Sequence, residues 1–211
     1  MNLTPTFTAL AIVCLSLSPV ASAANFISNP GFESGSTGWI LFIPSESAAA
    51  APVFTVVKTE AQSGTSAAKL SSTIPSRYAL SPLAPQMFVK PSQRVRVSAW
   101  YKGEPGAVIK SNMPGPTIRV KLNSAPNQES FVYCSAAGTS KGNEFLHKTK
   151  SDKPVETKWT KLEAVFEVDP EVNVLSFNFF AWGIEGALLV DDVVFEKVDI
   201  NTPLTPLLTK Q

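Results

Sequence analysis

The sequence predicts an all-β domain, a two-sheet antiparallel sandwich or a barrel, on three observations. Apolar residues recur with period two, the signature of half-buried strands. Turn signals separate the runs: Lys90-Pro91-Ser92, Gly103-Glu104-Pro105-Gly106, Pro114-Gly115-Pro116 and Asp169-Pro170. The 17 prolines oppose a helical or α/β fold, because each removes a backbone donor and fixes φ. Many short strands with such turns fit two packed sheets around one core.

Taken in order, the chain begins with a segment outside the fold. Thr8 to Val20 is an apolar run broken by small hydroxyl residues and Pro19, and it closes on Ala21-Ser22-Ala23. The run is too short to span a bilayer and ends in the small-x-small pattern that signal peptidase accepts. Residues 1–23 therefore read as a secretory signal peptide, although no Lys or Arg precedes the run. Cys14 follows Ala11-Ile12-Val13, a poor lipobox. Cleavage would start the mature chain near Ala24, in the extracellular or periplasmic space.

A single domain is expected over residues 24–198. Val53–Val57 is the first strand, and Ala67–Leu70 follows the Gly64 turn. Arg94–Lys102 alternates cleanly, with Val95, Val97, Ala99 and Tyr101 on one face and Arg96, Ser98, Trp100 and Lys102 on the other. Thr117–Leu122 turns Ile118, Val120 and Leu122 inward and Arg119 and Lys121 outward. Phe131–Cys134 is short. Trp159–Val168 puts Leu162, Phe166 and Val168 on one face. Val172–Trp182 and Leu188–Val198 complete the set. The polar, lysine-rich stretch Ser135–Thr157 reads as one long surface loop, and residues 199–211, with Pro203 and Pro206, as a flexible C-terminal tail.

Composition excludes several functions. The net charge is +1, without a basic run or an amphipathic helix, which opposes nucleic acid and anionic membranes as partners. No second apolar stretch predicts a membrane span. After cleavage Cys134 is the one cysteine left, so an intrachain disulfide is impossible and an inert buried thiol is expected. One histidine, His147, with one thiol does not make a zinc hydrolase. A glycosidase needs two carboxylates flanking the bond, and no motif marks such a pair.

Three motifs in fixed order carry a resemblance. They are Asn29-Pro30-Gly31-Phe32-Glu33 with Gly38-Trp39, then Val95-Arg96-Val97-Ser98-Ala99-Trp100-Tyr101-Lys102-Gly103, and last Val190-Asp191-Asp192-Val193-Val194-Phe195. The chain resembles the carbohydrate-binding modules of the group containing families 4, 9 and 22, over about residues 25–198. The resemblance implies a jelly roll of the galactose-binding-domain-like kind that holds polysaccharide or oligosaccharide without cleaving it. It also implies a structural calcium (Ca2+) shared by Glu33 and Asp191, with Asp192 beside them and backbone ligands from Gln62-Ser63-Gly64-Thr65. Asn29 and Gly31 would shape the turn, and Trp39 and Trp159 would be structural. The other reading makes Asp191-Asp192 a solvated strand start and Glu33 a turn carboxylate. The alanine-rich Pro44–Pro52 segment and the Ser135–Thr157 loop depart from the family pattern.

Period two also sorts the aromatics. Phe177 and Phe179 share a face with Leu175 and belong to the core, while Ser176, Asn178, Phe180 and Trp182 share the other face. If the outer faces of this run and of Arg94–Lys102 belong to one concave sheet, Trp100, Trp182, Arg96 and Asn178 line a glycan cleft flanked by Arg119 and Tyr133. Otherwise Trp100 and Trp182 pack beneath long loops. Arg77-Tyr78, in a proline-flanked stretch, is a weaker candidate. The first functional expectation is a secreted carbohydrate-binding protein. The others are a small secreted jelly-roll glycoside hydrolase or polysaccharide lyase, and an adhesion scaffold without sugar binding.

Overall fold

Two long strands run through both layers of the molecule and turn one hydrogen-bonded sheet into a sandwich. The computed structural model describes residues 24–124, 129–142 and 147–208. The predicted signal peptide, with Cys14, lies outside them. The strands are β1 (Trp39–Phe42), β2 (Val53–Val57), β3 (Ala67–Pro82), β4 (Gln86–Phe88), β5 (Arg94–Gly103), β6 (Val108–Ile109), β7 (Gly115–Ser124), β8 (Glu129–Ser135), β9 (Gly138–Gly142), β10 (Lys153–Pro154), β11 (Thr160–Glu167) and β12 (Val172–Val198). A 3-10 turn, Ser45–Ala50, follows β1.

The first half of β12 pairs antiparallel with β7 on one side and with β4 and the second half of β3 on the other. With β1, β8 and β9 these form the first layer. The second half of β12 pairs with the first half of β3 and with β5, and β2 and β11 extend that second layer. Phe177 and Phe195 of the same strand would be about 60 Å apart in a straight strand rising 3.3 Å per residue. Their ring centroids are 5.7 Å apart, so β12 folds back and the two layers face each other. The bend lies at Gly183 (φ +70°) and Gly186 (φ +101°), where the register against β3 shifts. Both positions need the left-handed backbone that glycine tolerates.

The core fills the space between the layers with Val95, Val97, Ile118, Val120, Leu162, Phe166, Phe177, Phe179, Phe195 and their neighbours. The strands that carry these residues are where alternation placed them. Three expectations about the strands need correction. Val172–Trp182 and Leu188–Val198 are one strand, because the glycines bend the chain without breaking its ladder. The Ala67–Leu70 run continues to Pro82, since Pro75 and Pro82 fall at the bend and the strand end, where a missing N–H costs least. The predicted loop Ser135–Thr157 contains β9 and β10.

Of the predicted flexible tail, residues 199–208 are described, and they are docked by hydrogen bonds. Thr205 donates its amide to the Val165 carbonyl and accepts the Val165 amide on its hydroxyl, both at 2.9 Å. The Leu208 amide reaches the Thr139 carbonyl at 2.7 Å, and Arg94 Nη1 holds the Thr202 carbonyl at 2.6 Å. Cys134 is buried as expected, and burial pushes its thiol up to about 11. Among the described residues no helix is long and apolar enough to cross a membrane.

Candidate functional site

The outer faces of the two layers have different chemistry. On the second layer, ion pairs cover the sheet: Arg96–Glu196 at 2.8 Å and Arg94–Glu167 at 3.6 Å across strands, Lys161–Glu163 along β11, and Lys102–Glu60 to the loop between β2 and β3. Such pairs on a solvated face contribute little energy and mark ordinary surface. Arg96 and Trp100 belong to this face, with Trp100 in register between Lys161 and Asp191. The expectation that they share a cleft with Trp182 and Asn178 therefore fails. The two alternating runs lie in opposite layers, and their outer faces point apart.

The first layer brings the remaining four candidates together. Asn178, Arg119 and Tyr133 stand opposite one another on β12, β7 and β8, so their side chains rise on the same face. Arg119 Nη2 donates to Asn178 Oδ1 at 3.1 Å, and Asn178 Nδ2 donates to Ser81 Oγ at 2.6 Å. Rings and guanidinium groups then alternate along the face. Tyr133 lies 5.7 Å from Phe131. The Arg119 guanidinium sits 5.1 Å above Phe131 and 4.5 Å above Phe180. Phe180 lies 5.7 Å from Trp182, and Arg77 caps the Trp182 ring at 5.4 Å. Each cation over a ring face is attracted by the ring quadrupole, so the row is held rigid. Tyr133 is buried and its hydroxyl is raised by desolvation, while Trp182, Phe131 and Arg119 remain half-buried.

Sequence reasoning missed Phe131 and Ser81 and ranked Arg77 only as a weaker candidate. Phe131 is two residues from Tyr133, so period two alone could have placed it. Arg77 was demoted by Pro75, which reads as a loop signal but marks the bend of β3. Ser81 carried no signal.

The motifs at the two ends of the chain meet elsewhere, around the loop 62–66. Asn29 (φ +54°) shapes the turn, donating Nδ2 to the carbonyls of Gly35 and Thr37, both at 2.9 Å. Trp39 is structural, its ring 5.0 Å from the buried Phe32 and its Nε1 donating to the Asn29 carbonyl at 2.9 Å. Glu33 Oε1 accepts the amides of Thr65 and Ser66 at 2.8 and 2.9 Å, and Oε2 accepts the Thr65 hydroxyl at 2.7 Å. These bonds, led by the Thr65 hydroxyl, hold its carboxyl below the usual range. Asp191 Oδ2 accepts the amides of Gln62 and Ser63 at 2.8 and 3.2 Å, and Asp192 Oδ1 accepts the Ser63 hydroxyl at 2.7 Å. Asp191 is fully buried, and that burial pushes its carboxyl up to about 6.

A bulge interrupts the in-and-out alternation at the two aspartates. Asp192 takes φ +47°, and the register against β5 shifts between Asp191 and Val194. Leu188 and Val190 are core before it, Val193 and Phe195 after it. Asp191 therefore does not share the face of Val193 and Phe195. Among the described residues no three His, Cys, Asp or Glu side chains converge on one metal-sized point. Glu33 grips one end of the loop and the aspartates the other. Asp191 Oδ1 and Asp192 Oδ1 each stand 3.6 Å from where a β-carbon at Gly31 would be, and Asp191 Oδ1 accepts the Asp192 amide at 2.8 Å. An all-oxygen donor set with a buried carboxylate suits calcium, a hard cation that also takes backbone carbonyls.

The fold is shared with known structures. The structure is similar to that of the enzymatically active domain of bacteriophage CBA120 tailspike protein 4 (TM-score 0.52, 13% identity, 82% of this chain covered), of which the match spans 21%. It is also similar to the family 61 carbohydrate-binding module solved with β-1,4-galactotriose (TM-score 0.50, 19% identity, 83% of this chain and 100% of the module). A third likeness is to the CBM22-1 xylan-binding domain of Paenibacillus barcinonensis Xyn10C (TM-score 0.50, 14% identity, 80% of this chain and 92% of the domain). No family model and no curated protein matches the sequence. The fold is thus the β-sandwich jelly roll of carbohydrate-binding modules.

Proposed function

We propose that this chain is a secreted polysaccharide-binding protein, non-catalytic, that presents the outer face of its first layer to the glycan. The observation that carries this reading is the row of half-buried Phe131, Arg119, Trp182 and Arg77, backed by the buried rings of Tyr133 and Phe180. Sugar rings have apolar faces that stack on aromatic side chains, with hydroxyls at their edges. Guanidinium, amide and hydroxyl groups beside the rings suit those edges, and side chains already fixed lose little freedom on binding. The likeness to modules solved with galactotriose or described as xylan-binding supports the reading by analogy of fold.

Calcium is the proposed cofactor. Asp191 and Asp192 would hold it, with backbone carbonyls nearby and Glu33 fastening the same loop. Its role would be structural, relieving the repulsion of two adjacent carboxylates of which one is buried.

Purified protein incubated with immobilised β-glucans, xylans, galactans, mannans and uronate polymers tests the function. Retention on at least one polymer, with no new oligosaccharide in the supernatant, is expected. Retention on none would overturn glycan binding, and released products would overturn the non-catalytic part. N-terminal sequencing of exported protein should begin near Ala24.

A further inference from the structure

The aromatic row ends in a pocket. It occupies about 320 Å3 where β3 and β12 bend between the layers, and Trp182 and Arg77 line it. One wall is the 3-10 turn Ser45–Ala50, from the segment that departs from the family pattern. That turn is fastened to β3: Ser47 Oγ accepts the Arg77 amide at 3.1 Å, and Glu46 forms an ion pair with Arg77. Met113 lines it as well, packed so tightly on the bend that a β-carbon at Gly183 would lie 2.2 Å from its Cγ.

The lining offers polar groups that solvent reaches: the Arg77 and Glu46 side chains are 37% and 59% exposed. Glu46 adds an acceptor beside the Arg77 donor, the pairing that adjacent sugar hydroxyls need. The volume lies at the lower end of the ~300–1,000 Å3 of small-molecule pockets. Its volume has room for one or two sugar residues, so the rest of a longer chain must lie outside it, along the row.

We infer that this pocket takes the terminal sugar residue of the glycan, stacked on Trp182 and hydrogen-bonded by Glu46 and Arg77. The protein is then a chain-end binder, with the rest of the row meeting the residues behind the terminus. This inference rests on the proposed glycan-binding role of the same face.

Linear β-1,4-linked xylose, galactose, glucose and mannose oligomers of increasing length, with their parent polymers, serve as probes in calorimetric titration. Affinity for a bound series should level off by the trisaccharide, with one protein per chain whatever its length. Ala49→Trp fills the pocket from an exposed position on the turn, and Glu46→Gln removes the acceptor. Each should lower affinity tenfold or more without moving the melting temperature beyond a few degrees. Binding that grows through the hexamer, places several proteins on one polymer chain and ignores Ala49→Trp would overturn chain-end recognition and leave the glycan-binding face standing. Binding to no probe and no polymer would overturn both.

Discussion

Replacing Gly64 by alanine should destabilise the protein more than the same change at Gly35, and Glu33 should be the reason. Both glycines have left-handed backbones, φ +62° and φ +64°. An alanine there meets the same conformational penalty, ~1–2 kcal/mol, partly offset by the stiffer unfolded chain at ~0.4–1 kcal/mol. At Gly35 nothing stands within 4 Å of the new β-carbon. Gly35→Ala should therefore cost about 1 kcal/mol, or roughly 2–4 °C in a domain of this size. At Gly64 the β-carbon would stand 2.4 Å from Glu33 Oε1 and 2.9 Å from its Cδ. The carboxylate must leave, and with it go the bonds to Thr65 and Ser66. Gly64→Ala should accordingly melt well below Gly35→Ala. In a Glu33→Ala background the clash is gone, so the two glycine substitutions should cost the same. Thermal unfolding of the double-mutant cycle reads this coupling. Equal melting of the two single variants, or a difference that survives without Glu33, would refute the reasoning.

Three further outcomes are expected. Calcium in excess over its Kd should raise the melting temperature, by about 2.7 kcal/mol of stability at a hundredfold excess, and Asp192→Asn should remove the response to chelator. Cys134 should resist thiol reagents at pH 8 until the protein unfolds. Its thiol, pushed up to about 11 from 9.0, leaves the unfolded chain to deprotonate first, so its contribution is complete below pH 9 and is lost as the pH rises to about 11. Deleting residues 199–211 should lower the melting temperature, because Thr205 and Leu208 hold the β11 and β9 edges; an unchanged curve would mean the docking contributes nothing.

The strands were legible because a sheet with one face on a core writes its pleat into the sequence: Val95, Val97 and Ala99 are buried in the order alternation gave them. The carboxylate motifs were legible as partners, and Glu33 and Asp191 do meet on one loop. What alternation could not supply was the third dimension. Arg96 and Trp100 share a pattern with Asn178 and Trp182, yet period two says only that a face is outward, and a sandwich has two such faces. The layer of each strand is set by the bend at Gly183 and Gly186, and a glycine that bends a strand looks like one that ends it. The bulge at Asp192 likewise shifts the face of every residue after it without a local signal. The docked tail was hidden because its anchoring is by backbone and hydroxyl bonds, which leave no hydrophobic pattern.

The division between the two outer faces is the central claim, and Trp182→Ala against Trp100→Ala tests it most directly. Titration of both variants with a polymer that the unaltered protein retains gives the answer. A stacking tryptophan at the heart of a binding face is worth on the order of 2 kcal/mol, so Trp182→Ala should weaken binding about thirtyfold while Trp100→Ala binds as before. Loss of binding in Trp100→Ala with Trp182→Ala unaffected would place the glycan on the second layer and contradict the account.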